Sequence, residues 1–381
     1  MNTEDFLSKF RKRIEFNYNK QTFFFDVNQS LFSSAKLDKG TFQLIDSLRK
    51  NDNIDYTKIL DLGCGYGPIG IFLKKTHPES LIYCVERDSL AIDFAKHNAK
   101  LNGCDIKIYP GLDYQNIKEK FSLICCNYPA KAGLNAFKKF VYGASKHLNC
   151  EGIFVIVIVE ELLEDFNSIL REEIEVLHQQ KSSGHRVFHL KFNKEIEFGE
   201  EIYSKGNIDY KIGEKSYRLK TALNVPEFDS PSFTTEAMVK ILPEISKGLK
   251  ISLLNPFQGH LGIAAYHYAK PSELNLVSRD LLSLIYSEAN LSLNGFKNAR
   301  ISHKICVEEE RGDLLIWRLE KDLELDQVEK QLENYRNNFN KIILGADKSK
   351  LKKIISYLKL RPLIEKEEEK GLAILIETTP Q

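Results

Sequence analysis

Short apolar runs alternate with segments of helical periodicity through the first half of the chain. The strand-like runs include Lys58–Leu62, Leu81–Glu86 and Phe121–Cys126, and helical segments lie between them. The run Ile153–Val159 is apolar at every position, which is typical of a strand buried on both faces. Strands that alternate with helices predict a mostly parallel sheet covered on both sides, and a final hairpin before residue 193 predicts an antiparallel edge.

Two helices carry local signals that make the prediction more specific. One is predicted over Thr41–Arg49, with Phe42, Ile45 and Leu48 on its buried face. Another is predicted over Ser89–Leu101, since a serine can cap its N-terminus and an Asn-Gly pair follows its last residue. Both helices belong to the same alternating pattern.

The second half of the chain repeats part of the first. The segments Lys58–Gly103 and Lys250–Gly295 align without a gap, at an offset of 250 − 58 = 192 residues. Identical residues fall at the following pairs: Gly67/Gly259, Gly70/Gly262, Arg87/Arg279, Asp88/Asp280 and Asn98/Asn290. We therefore predict one fold present twice, with a first domain over 1–193 and a second over 194–381.

The two copies differ where a strand passes into a helix. The replacements are Asp61 by Leu253, Gly63 by Asn255, Gly65 by Phe257 and Glu86 by Ser278. The second copy keeps residues that pack and loses residues that bind a ligand. A phenylalanine in this turn is expected to fill the space that a cofactor needs, so the second domain is predicted to be structural or to recognise substrate.

The turn in the first copy is rich in glycine. The spacing Gly65-x-Gly67-x-x-Gly70, with Glu86 lying 86 − 65 = 21 residues after the first glycine, fits a dinucleotide-binding fingerprint. On these facts alone a dehydrogenase remains possible. A carboxylate at Asp61, inside the end of the strand, favours a different nucleotide cofactor, because dinucleotide-binding proteins usually have an apolar residue there. Asp61 could fix the glycine turn or receive a cationic ligand through water.

A further motif follows the fourth strand, at the sheet edge where ligands bind in open α/β folds. It begins Asn127-Tyr128-Pro129. With the glycine turn and Glu86, it resembles the class I S-adenosylmethionine-dependent methyltransferases. Leu31-Phe32-Ser33, Asp38-x-Gly40-Thr41 and Asn127-x-Pro129-x-Lys131 extend the resemblance to the methyltransferase small domain family, over most of residues 23–192.

That family includes the 16S and 23S ribosomal RNA guanine-N2 methyltransferases. The resemblance implies a Rossmann-like, seven-stranded α/β methyltransferase fold, which this chain would contain as a tandem repeat with a degenerate second copy. In the family the degenerate copy is known to come first, whereas here it comes second. The resemblance also implies the cofactor S-adenosyl-L-methionine. The residues expected to bind this cofactor are Asp61, Gly63, Cys64, Gly65, Gly67, Glu86, Leu112, Asp113 and Asn127.

The resemblance assigns the reaction itself to Asn127, Tyr128 and Pro129. An exocyclic amine of guanine is a poor nucleophile because its lone pair is delocalised. Two acceptors, the Asn127 side-chain carbonyl and the Tyr128 main-chain carbonyl, would bind its two N–H groups and free the lone pair. In the family the motif is usually Asn-Pro-Pro followed by an apolar or aromatic residue. Here Tyr128 replaces the first proline and Ala130 cannot stack on a base, so Tyr128 is either the stacking ring or a buried structural residue. The candidates for substrate binding are Phe32, Lys131 and Arg186.

Composition limits the alternatives. The net charge is +1, from 54 basic and 53 acidic residues, so RNA binding would need a local basic patch, such as Lys9–Arg13 in the polar and basic N-terminal extension. Seven cysteines contain no C-x-x-C pair, and no cysteine or histidine spacing indicates a metal site. With no signal-peptide pattern and no apolar run long enough to span a bilayer, we expect a cytoplasmic protein without membrane contact.

The sequence thus predicts a methyltransferase that transfers a methyl group from S-adenosylmethionine to nitrogen in RNA, with guanine N2 of ribosomal RNA as the first candidate. A protein glutamine or a small molecule remains an alternative acceptor. A non-catalytic pseudoenzyme that holds the cofactor or RNA is a second alternative. The oligomeric state is not predicted.

Overall fold

A computed structural model describes residues 11–51, 53–199 and 203–378. The chain forms two compact units, residues 1–203 and 204–381. The division thus falls ten residues (203 − 193) after the boundary predicted from the sequence. Lys9, part of the predicted basic run, lies outside the described residues. None of the helices in the described ranges is long and apolar enough to cross a membrane.

The first unit contains one large sheet, a separate hairpin and the helices that cover them. Its strands are β1 (Lys12–Tyr18), β2 (Gln21–Val27), β3 (Lys58–Leu62), β4 (Leu81–Glu86), β5 (Lys107–Pro110), β6 (Phe121–Asn127), β7 (Leu148–Val159), β8 (Ile174–Ser182) and β9 (His185–Phe192). Its α-helices are α1 (Lys39–Arg49), α2 (Pro68–Thr76), α3 (Ser89–Leu101), α4 (Leu134–His147) and α5 (Leu163–Ile169), and a 3₁₀ turn covers Glu160–Leu162.

The large sheet has the order β5-β4-β3-β6-β7-β9-β8. The strands from β5 to β7 are parallel, and β9 and β8 add an antiparallel edge. The chain runs outward from β3 to β5 and then returns to place β6 on the other side of β3. This change of direction opens a crevice at the carboxyl ends of β3 and β6, where open α/β sheets bind ligands. The predicted mostly parallel sheet with an antiparallel edge is confirmed.

Two local predictions about the first unit are wrong. Phe42 was expected to be buried, but 44% of its surface is exposed. The buried stripe of α1 runs through Thr41, Leu44, Ile45 and Leu48, at spacings of three and four residues, and Phe42 lies one position outside it. The N-terminal extension was given no element, yet it contains β1, which pairs with β2 in an antiparallel hairpin.

The second unit has the same strands and α-helices in the same order, and only the 3₁₀ turn lies at a different place. Its strands are β10 (Ser204–Ile212), β11 (Lys215–Ala222), β12 (Lys250–Leu254), β13 (Glu273–Ser278), β14 (Ala299–His303), β15 (Gly312–Arg318), β16 (Phe339–Asp347), β17 (Ile364–Glu368) and β18 (Gly371–Glu377). Its α-helices are α6 (Phe233–Val239), α7 (His260–Tyr268), α8 (Leu281–Leu293), α9 (Leu325–Arg336) and α10 (Lys348–Tyr357), and a 3₁₀ turn covers Leu242–Glu244. Its sheet order is β14-β13-β12-β15-β16-β18-β17.

The predicted repeat is confirmed residue by residue. The pairs β3/β12, α2/α7, β4/β13 and α3/α8 each begin and end 192 residues apart. Side-chain hydrogen bonds also recur in the two units. The Asn98 side chain accepts from the Asp26 N–H (2.8 Å) and donates to the Asp26 carbonyl (3.1 Å), which fixes α3 to the hairpin of β1 and β2. Asn290 makes the same two bonds to Lys220, both at 2.8 Å, and fixes α8 to the hairpin of β10 and β11.

Candidate cofactor and acceptor site in the first unit

A cavity of about 140 Å³ lies in the crevice of the first sheet. The turn after β3, the end of β4, the end of β6 and the loop before α1 all contribute to its wall. Its lining residues are Leu31, Phe32, Ser33, Asp38, Thr41, Gly63, Cys64, Gly65, Tyr66, Pro68, Ile69, Glu86, Asp88, Ala91 and Asn127. Several predicted cofactor residues and both Phe32 and Asn127 are therefore brought together.

The glycine turn needs its glycines. Gly63, Gly65 and Gly67 have φ values of +74°, +55° and +95°, in the left-handed region that residues with a Cβ rarely adopt. A Cβ added at Gly63 or Gly65 would meet no atom within 4 Å, so these positions border open space. Gly67 is the N-cap of α2. The N–H groups of Gly63 and Gly65 donate within the protein, to the Val85 carbonyl and the Glu86 carboxylate. The turn therefore offers the cavity its open space and, just beyond it, the positive N-terminal end of α2, which suits an anionic group.

Asp61 supports this turn from behind. Its side chain is fully buried, and its Oδ2 accepts a hydrogen bond of 2.9 Å from the Gly70 N–H in α2. Burial raises the pKa of Asp61 to about 7, against the effect of the Gly70 hydrogen bond, and the negative charge of Glu86 raises it further. Asp61 is not part of the cavity wall. Of the two roles considered for it, the geometry favours fixing the turn.

Glu86 lies at the end of β4 and does reach the cavity. Its carboxylate accepts three main-chain hydrogen bonds, from Gly65 (2.9 Å), Arg87 (2.8 Å) and Asp88 (3.0 Å). Burial raises its pKa, and the hydrogen bond from Asp88 opposes that shift. Because a carboxylate offers about four acceptor sites, the side chain is held rigidly and still has a lone pair for a ligand hydroxyl.

Asn127 ends β6 with its amide held in one orientation. Its Nδ2 donates to Asp38 Oδ2 (2.8 Å) and to Thr41 Oγ1 (3.0 Å). An ionised carboxylate can only accept hydrogen bonds, so the nitrogen and not the oxygen must face Asp38. The oxygen lies within 3.3 Å of where a Cβ on Gly40 would stand. Both side-chain hydrogen bonds that Asn127 makes to described residues use its nitrogen, so its oxygen keeps the capacity to accept from N–H groups.

Tyr128 is a core residue and not a stacking platform. It is 4% exposed, its hydroxyl donates to the Gly133 carbonyl (3.0 Å), and its ring stacks on Phe137 with centroids 4.4 Å apart. Its side chain is therefore directed away from any base in the cavity. Phe32, by contrast, is 75% exposed and lines the cavity. Its ring is the exposed one of the two aromatic rings in the cavity lining, the other being that of the buried Tyr66.

Other predicted residues lie apart from the cavity wall. Asp113 accepts a hydrogen bond from Tyr203 (2.7 Å), its carboxylate lies 3.3 Å from Lys139, and neither it nor Leu112 lines the cavity. The Arg186 guanidinium forms a forked pair with Glu160, at 3.0 Å to each carboxylate oxygen. Gly67, Tyr128, Pro129 and the exposed Lys131 are also outside the lining.

Two contributors to the site were not assigned by sequence reasoning. Asp38 and Thr41 line the cavity and hold Asn127, although they precede it by 89 and 86 residues. Their motif, Asp38-x-Gly40-Thr41, was part of the resemblance, so the signal was present without a role. The contact itself is tertiary and has no local signature.

The second unit has a cavity at the equivalent edge, with different chemistry. Its volume is about 890 Å³, and Phe257 is one of its lining residues, so the ring does not close this cavity. That the ring takes the place of a cofactor stays a prediction. β15 ends in Arg318 where β6 ends in Asn127. The Arg318 guanidinium lies 4.2 Å from the centre of the Phe257 ring and bonds Glu227. Burial acts to raise the pKa of Glu227, but the favourable charges and hydrogen bonds around it, Arg318 among them, outweigh burial and lower this pKa to about 2.

The first unit combines a mostly parallel sheet, a glycine turn after its central strand, a carboxylate one strand further on and an Asn-x-Pro motif at the same edge. That combination defines the fold and site of a class I methyltransferase. Residues 23–189 match the model of the methyltransferase small domain family. Over these residues, which make up most of the first unit, the chain is similar to this methyltransferase family.

Individual relatives agree with this assignment. The chain is 29% identical over 178 residues to the uncharacterized protein YbxB of Bacillus subtilis, which covers 44% of this chain and 85% of that protein. It is 34% identical over 131 residues to ribosomal RNA small subunit methyltransferase C of Haemophilus influenzae, which covers 33% of this chain and 39% of that enzyme. The match thus spans less than half of the length of the named methyltransferase.

A solved structure resembles the whole chain. It is the T. thermophilus 16S rRNA guanine-N2 methyltransferase RsmC, in complex with AdoMet and guanosine. The similarity has a TM-score of 0.72 and covers 96% of this chain and 98% of that one, at 14% sequence identity. This likeness concerns the fold, and it extends through both units.

Proposed function

We propose that the protein is an S-adenosyl-L-methionine-dependent N-methyltransferase that modifies an exocyclic amino group in ribosomal RNA, the N2 of a guanine. The observation that carries the proposal is the fixed amide of Asn127, whose nitrogen is held by Asp38 and Thr41. Its oxygen is left to accept from an N–H group. A site that offers acceptors selects an acceptor substrate with hydrogens on nitrogen.

The residues present fit the cofactor. The glycine turn borders open space, and the positive N-terminal end of α2 that follows it suits the carboxylate of the methionine part. Glu86 is held so that it can accept from ribose hydroxyls, a charge-assisted contact. When bound, S-adenosylmethionine supplies an activated methyl group on a sulfonium.

The chain's own task in the reaction is to orient and activate the amine. The Asn127 carbonyl and the Tyr128 main-chain carbonyl would each accept one N–H of the amino group, which draws the nitrogen toward a tetrahedral shape and frees its lone pair. Pro129 restricts the backbone just after these acceptors. Holding the nucleophile in line removes much of the entropic part of the barrier.

Ribosomal RNA is favoured as the acceptor by the named relatives and by the cavity mouth. A base must leave its stack to enter such a site. Phe32, exposed at the cavity, offers a ring on which the base can stack. The overall charge of +1 leaves backbone contacts to local lysines such as Lys131. A ribosomal acceptor would also place the protein in the cytoplasm.

Mass spectrometry of nucleosides and proteins from cells with and without the gene tests the proposal. We expect one N2-methylguanosine in ribosomal RNA to disappear with the gene and to return when the gene is restored. Loss of a methylated glutamine in a protein would assign the alternative acceptor. An unchanged set of modifications, with cofactor binding intact, would identify a pseudoenzyme.

The substitution Asn127→Ala tests the role of the amide. It should lower the turnover roughly 100-fold or more, as removal of a preorganised hydrogen-bonding group does in other enzymes. Calorimetry should give nearly the same affinity for S-adenosylmethionine. Asn135→Ala, an exposed asparagine at the start of α4, is the matched control and should keep full turnover. Equal turnover for both variants would contradict the assignment.

A further inference from the structure

We propose that Asp38 and Thr41 are positioning residues that make the site selective for amino acceptors, by locking the Asn127 amide with its oxygen toward the substrate. This inference rests on the proposed function, because it concerns the acceptor of that reaction. It assigns a role to the N-cap residue of α1 and to a residue of its first turn, neither of which is consumed in the reaction.

The contacts form a closed arrangement. Asp38 is the N-cap of α1, and its Oδ2 accepts from the Thr41 N–H (3.0 Å) as well as from Asn127 Nδ2 (2.8 Å). Thr41, which is 4% exposed, accepts the other amide hydrogen of Asn127 at 3.0 Å. The helix cap and the amide lock therefore share one carboxylate oxygen, so the start of α1 and the end of β6 are fixed together.

Without this lock, an asparagine would be ambiguous. The terminal torsion of asparagine is broad, so its oxygen and nitrogen can exchange places at little cost. A rotated amide would turn Nδ2 toward the substrate amine, and two donors would face each other. Two acceptors on Nδ2 exclude that orientation. The amide then presents only an acceptor, which fits an amine and disfavours an acceptor atom that carries no hydrogen.

Gly40 gives the locked amide its space. A Cβ at Gly40 would lie 2.9 Å from Asp38 Oδ2, 3.1 Å from His185 Cδ2 and 3.3 Å from Asn127 Oδ1. The glycine lets the helix start approach the strand end closely enough for the lock to form. The motif Asp38-x-Gly40-Thr41 is thus accounted for at each of its three defined positions.

The second unit has a helix cap of the same geometry, but its residues bond an arginine instead of an asparagine. Ser232 caps α6 as Asp38 caps α1, and Thr235 lies three residues after it as Thr41 does. These two hydroxyls bond the Arg318 guanidinium, at 2.9 Å from Ser232 and 3.2 Å from Thr235. A guanidinium has donors only, so it cannot accept from an amine. Between the first unit and the second, the helix cap changes from Asp38 to Ser232, and the residue at the strand end changes from Asn127 to Arg318.

Side-chain NMR tests the lock without any acceptor. The Nδ2 resonance of Asn127, identified as the signal lost in Asn127→Ala, should exchange slowly with water in the unsubstituted protein. Asp38→Ser retains a good helix cap but removes the carboxylate, and Thr41→Val removes the hydroxyl at constant shape. Both should shift the signal and speed its exchange, whereas Thr41→Ser should restore the hydroxyl contact and the slow exchange. An unchanged Asn127 signal in Asp38→Ser would overturn the proposal.

Kinetics test the consequence for selectivity. The probe is unmodified 16S ribosomal RNA with radiolabelled S-adenosylmethionine. Asp38→Ser should lower kcat roughly 10- to 100-fold, the loss typical when the partner that orients a ligand is removed, with little change in the KM for the cofactor. In an Asn127→Ala background, Asp38→Ser should lower kcat no further. If the double variant instead shows the product of the two single losses in kcat, Asp38 does not act through Asn127.

The two tests separate the inference from the function beneath it. If the unsubstituted protein transfers no methyl group to the RNA while the NMR signal responds as expected, the proposed acceptor is wrong and the lock stands. If transfer occurs but the NMR signal and the double-variant cycle show no coupling, the lock is wrong and the function stands. Thermal unfolding of each variant confirms that α1 remains folded.

Discussion

The Glu86 carboxylate bonds the main chain of two segments, the glycine turn and the segment that follows β4. It holds the glycine turn through the Gly65 N–H and the start of the following segment through the Arg87 and Asp88 N–H groups. Its carboxylate is therefore preorganised before any ligand arrives. A preorganised acceptor loses less entropy on binding than a free side chain would.

Replacing Glu86 by alanine should weaken the binding of S-adenosylmethionine by about 1–3 kcal/mol, the cost of leaving hydrogen-bonding groups unpaired. Isothermal calorimetry measures this directly. Ser278→Ala, at the equivalent position of the second unit, is the control and should bind as the unsubstituted protein does. An unaltered affinity in Glu86→Ala would remove Glu86 from the cofactor site.

Asp61 should make the stability of the first unit depend on pH. Its folded pKa of about 7 lies above the ordinary value of 3.8, because the carboxyl is buried. The folded state therefore holds a proton that the unfolded state releases, and stability falls as the pH rises from about 4 to about 7. Between pH 5 and pH 8, ionisation of Asp61 should lower the free energy of unfolding by on the order of 3 kcal/mol, at 1.36 kcal/mol per pKa unit. The Asp61→Asn variant should not show this decrease.

Hydrogen exchange of peptides from β3, followed at both pH values, measures the effect in the first unit alone. The uncharged asparagine cannot ionise, so its variant should lack this part of the slope. Parallel pH profiles for the two proteins would show that Asp61 has an ordinary pKa in the folded state.

The paired helix anchors explain how an element keeps its place in both units. Asn98 is fully buried in α3 and bonds Asp26 in β2 and the carbonyl of Tyr66 (3.0 Å). Asn290 bonds the carbonyl of Gln258, which occupies the position of Tyr66, at 2.8 Å. One amide thus joins a helix, a hairpin and the end of the ligand turn.

Asn98→Ala should destabilise the first unit by about 1–3 kcal/mol, since it leaves buried main-chain groups without partners. Asn290→Ala should cost the second unit a similar amount. Lys96→Ala, at an exposed position of α3, should change stability by less than about 0.5 kcal/mol. Hydrogen exchange resolves the two units. A loss no greater than that of the lysine variant would show that the anchor is dispensable.

Elements could be predicted from sequence where local signals and the repeat agreed. The bounds of α3 and α8 agree with the gapless alignment, but the predicted cap is wrong: Asp88, not Ser89, caps α3, as Asp280 caps α8. β1 was missed because its charged residues suggested an extension, although Ile14, Phe16 and Tyr18 alternate as in a strand.

The candidate site was predictable only in part. The glycine turn, Glu86 and Asn127 follow strand ends, where the sequence order of the strands already indicates a shared edge. The contact of Asn127 with Asp38 depends on how α1 packs against the sheet, which no spacing encodes. The same holds for the internal positions of Tyr128 and Asp113. Residues that look like ligands in a motif can be used by the core instead.

At the scale of the whole chain, duplication has left one equipped unit and one altered unit. The cavity of the second unit is the larger, so total volume does not distinguish the two. The chemistry does. A cation at Arg318 replaces an amide, and Ser278 replaces the carboxylate of Glu86. We expect one molecule of S-adenosylmethionine per chain.

Gly65→Phe, which copies Phe257 into the first unit, tests this expectation. The variant should fold, because Phe257 adopts a φ of +52° close to the +55° of Gly65 and a Cβ at Gly65 meets nothing within 4 Å. Its ring should project into the cavity and reduce calorimetric binding of the cofactor below detection. Phe257→Gly, the reverse change, should create no second binding site. A stoichiometry of two in any variant would contradict this account.

The turn of the second unit keeps the left-handed path of the first without its glycines. Asn255 and Phe257 have φ values of +65° and +52°, at the positions where Gly63 and Gly65 have +74° and +55°. A left-handed backbone costs most residues with a side chain roughly 1–2 kcal/mol, although asparagine adopts it more readily. The packing around this turn therefore holds Phe257 in a conformation that a glycine would adopt more easily.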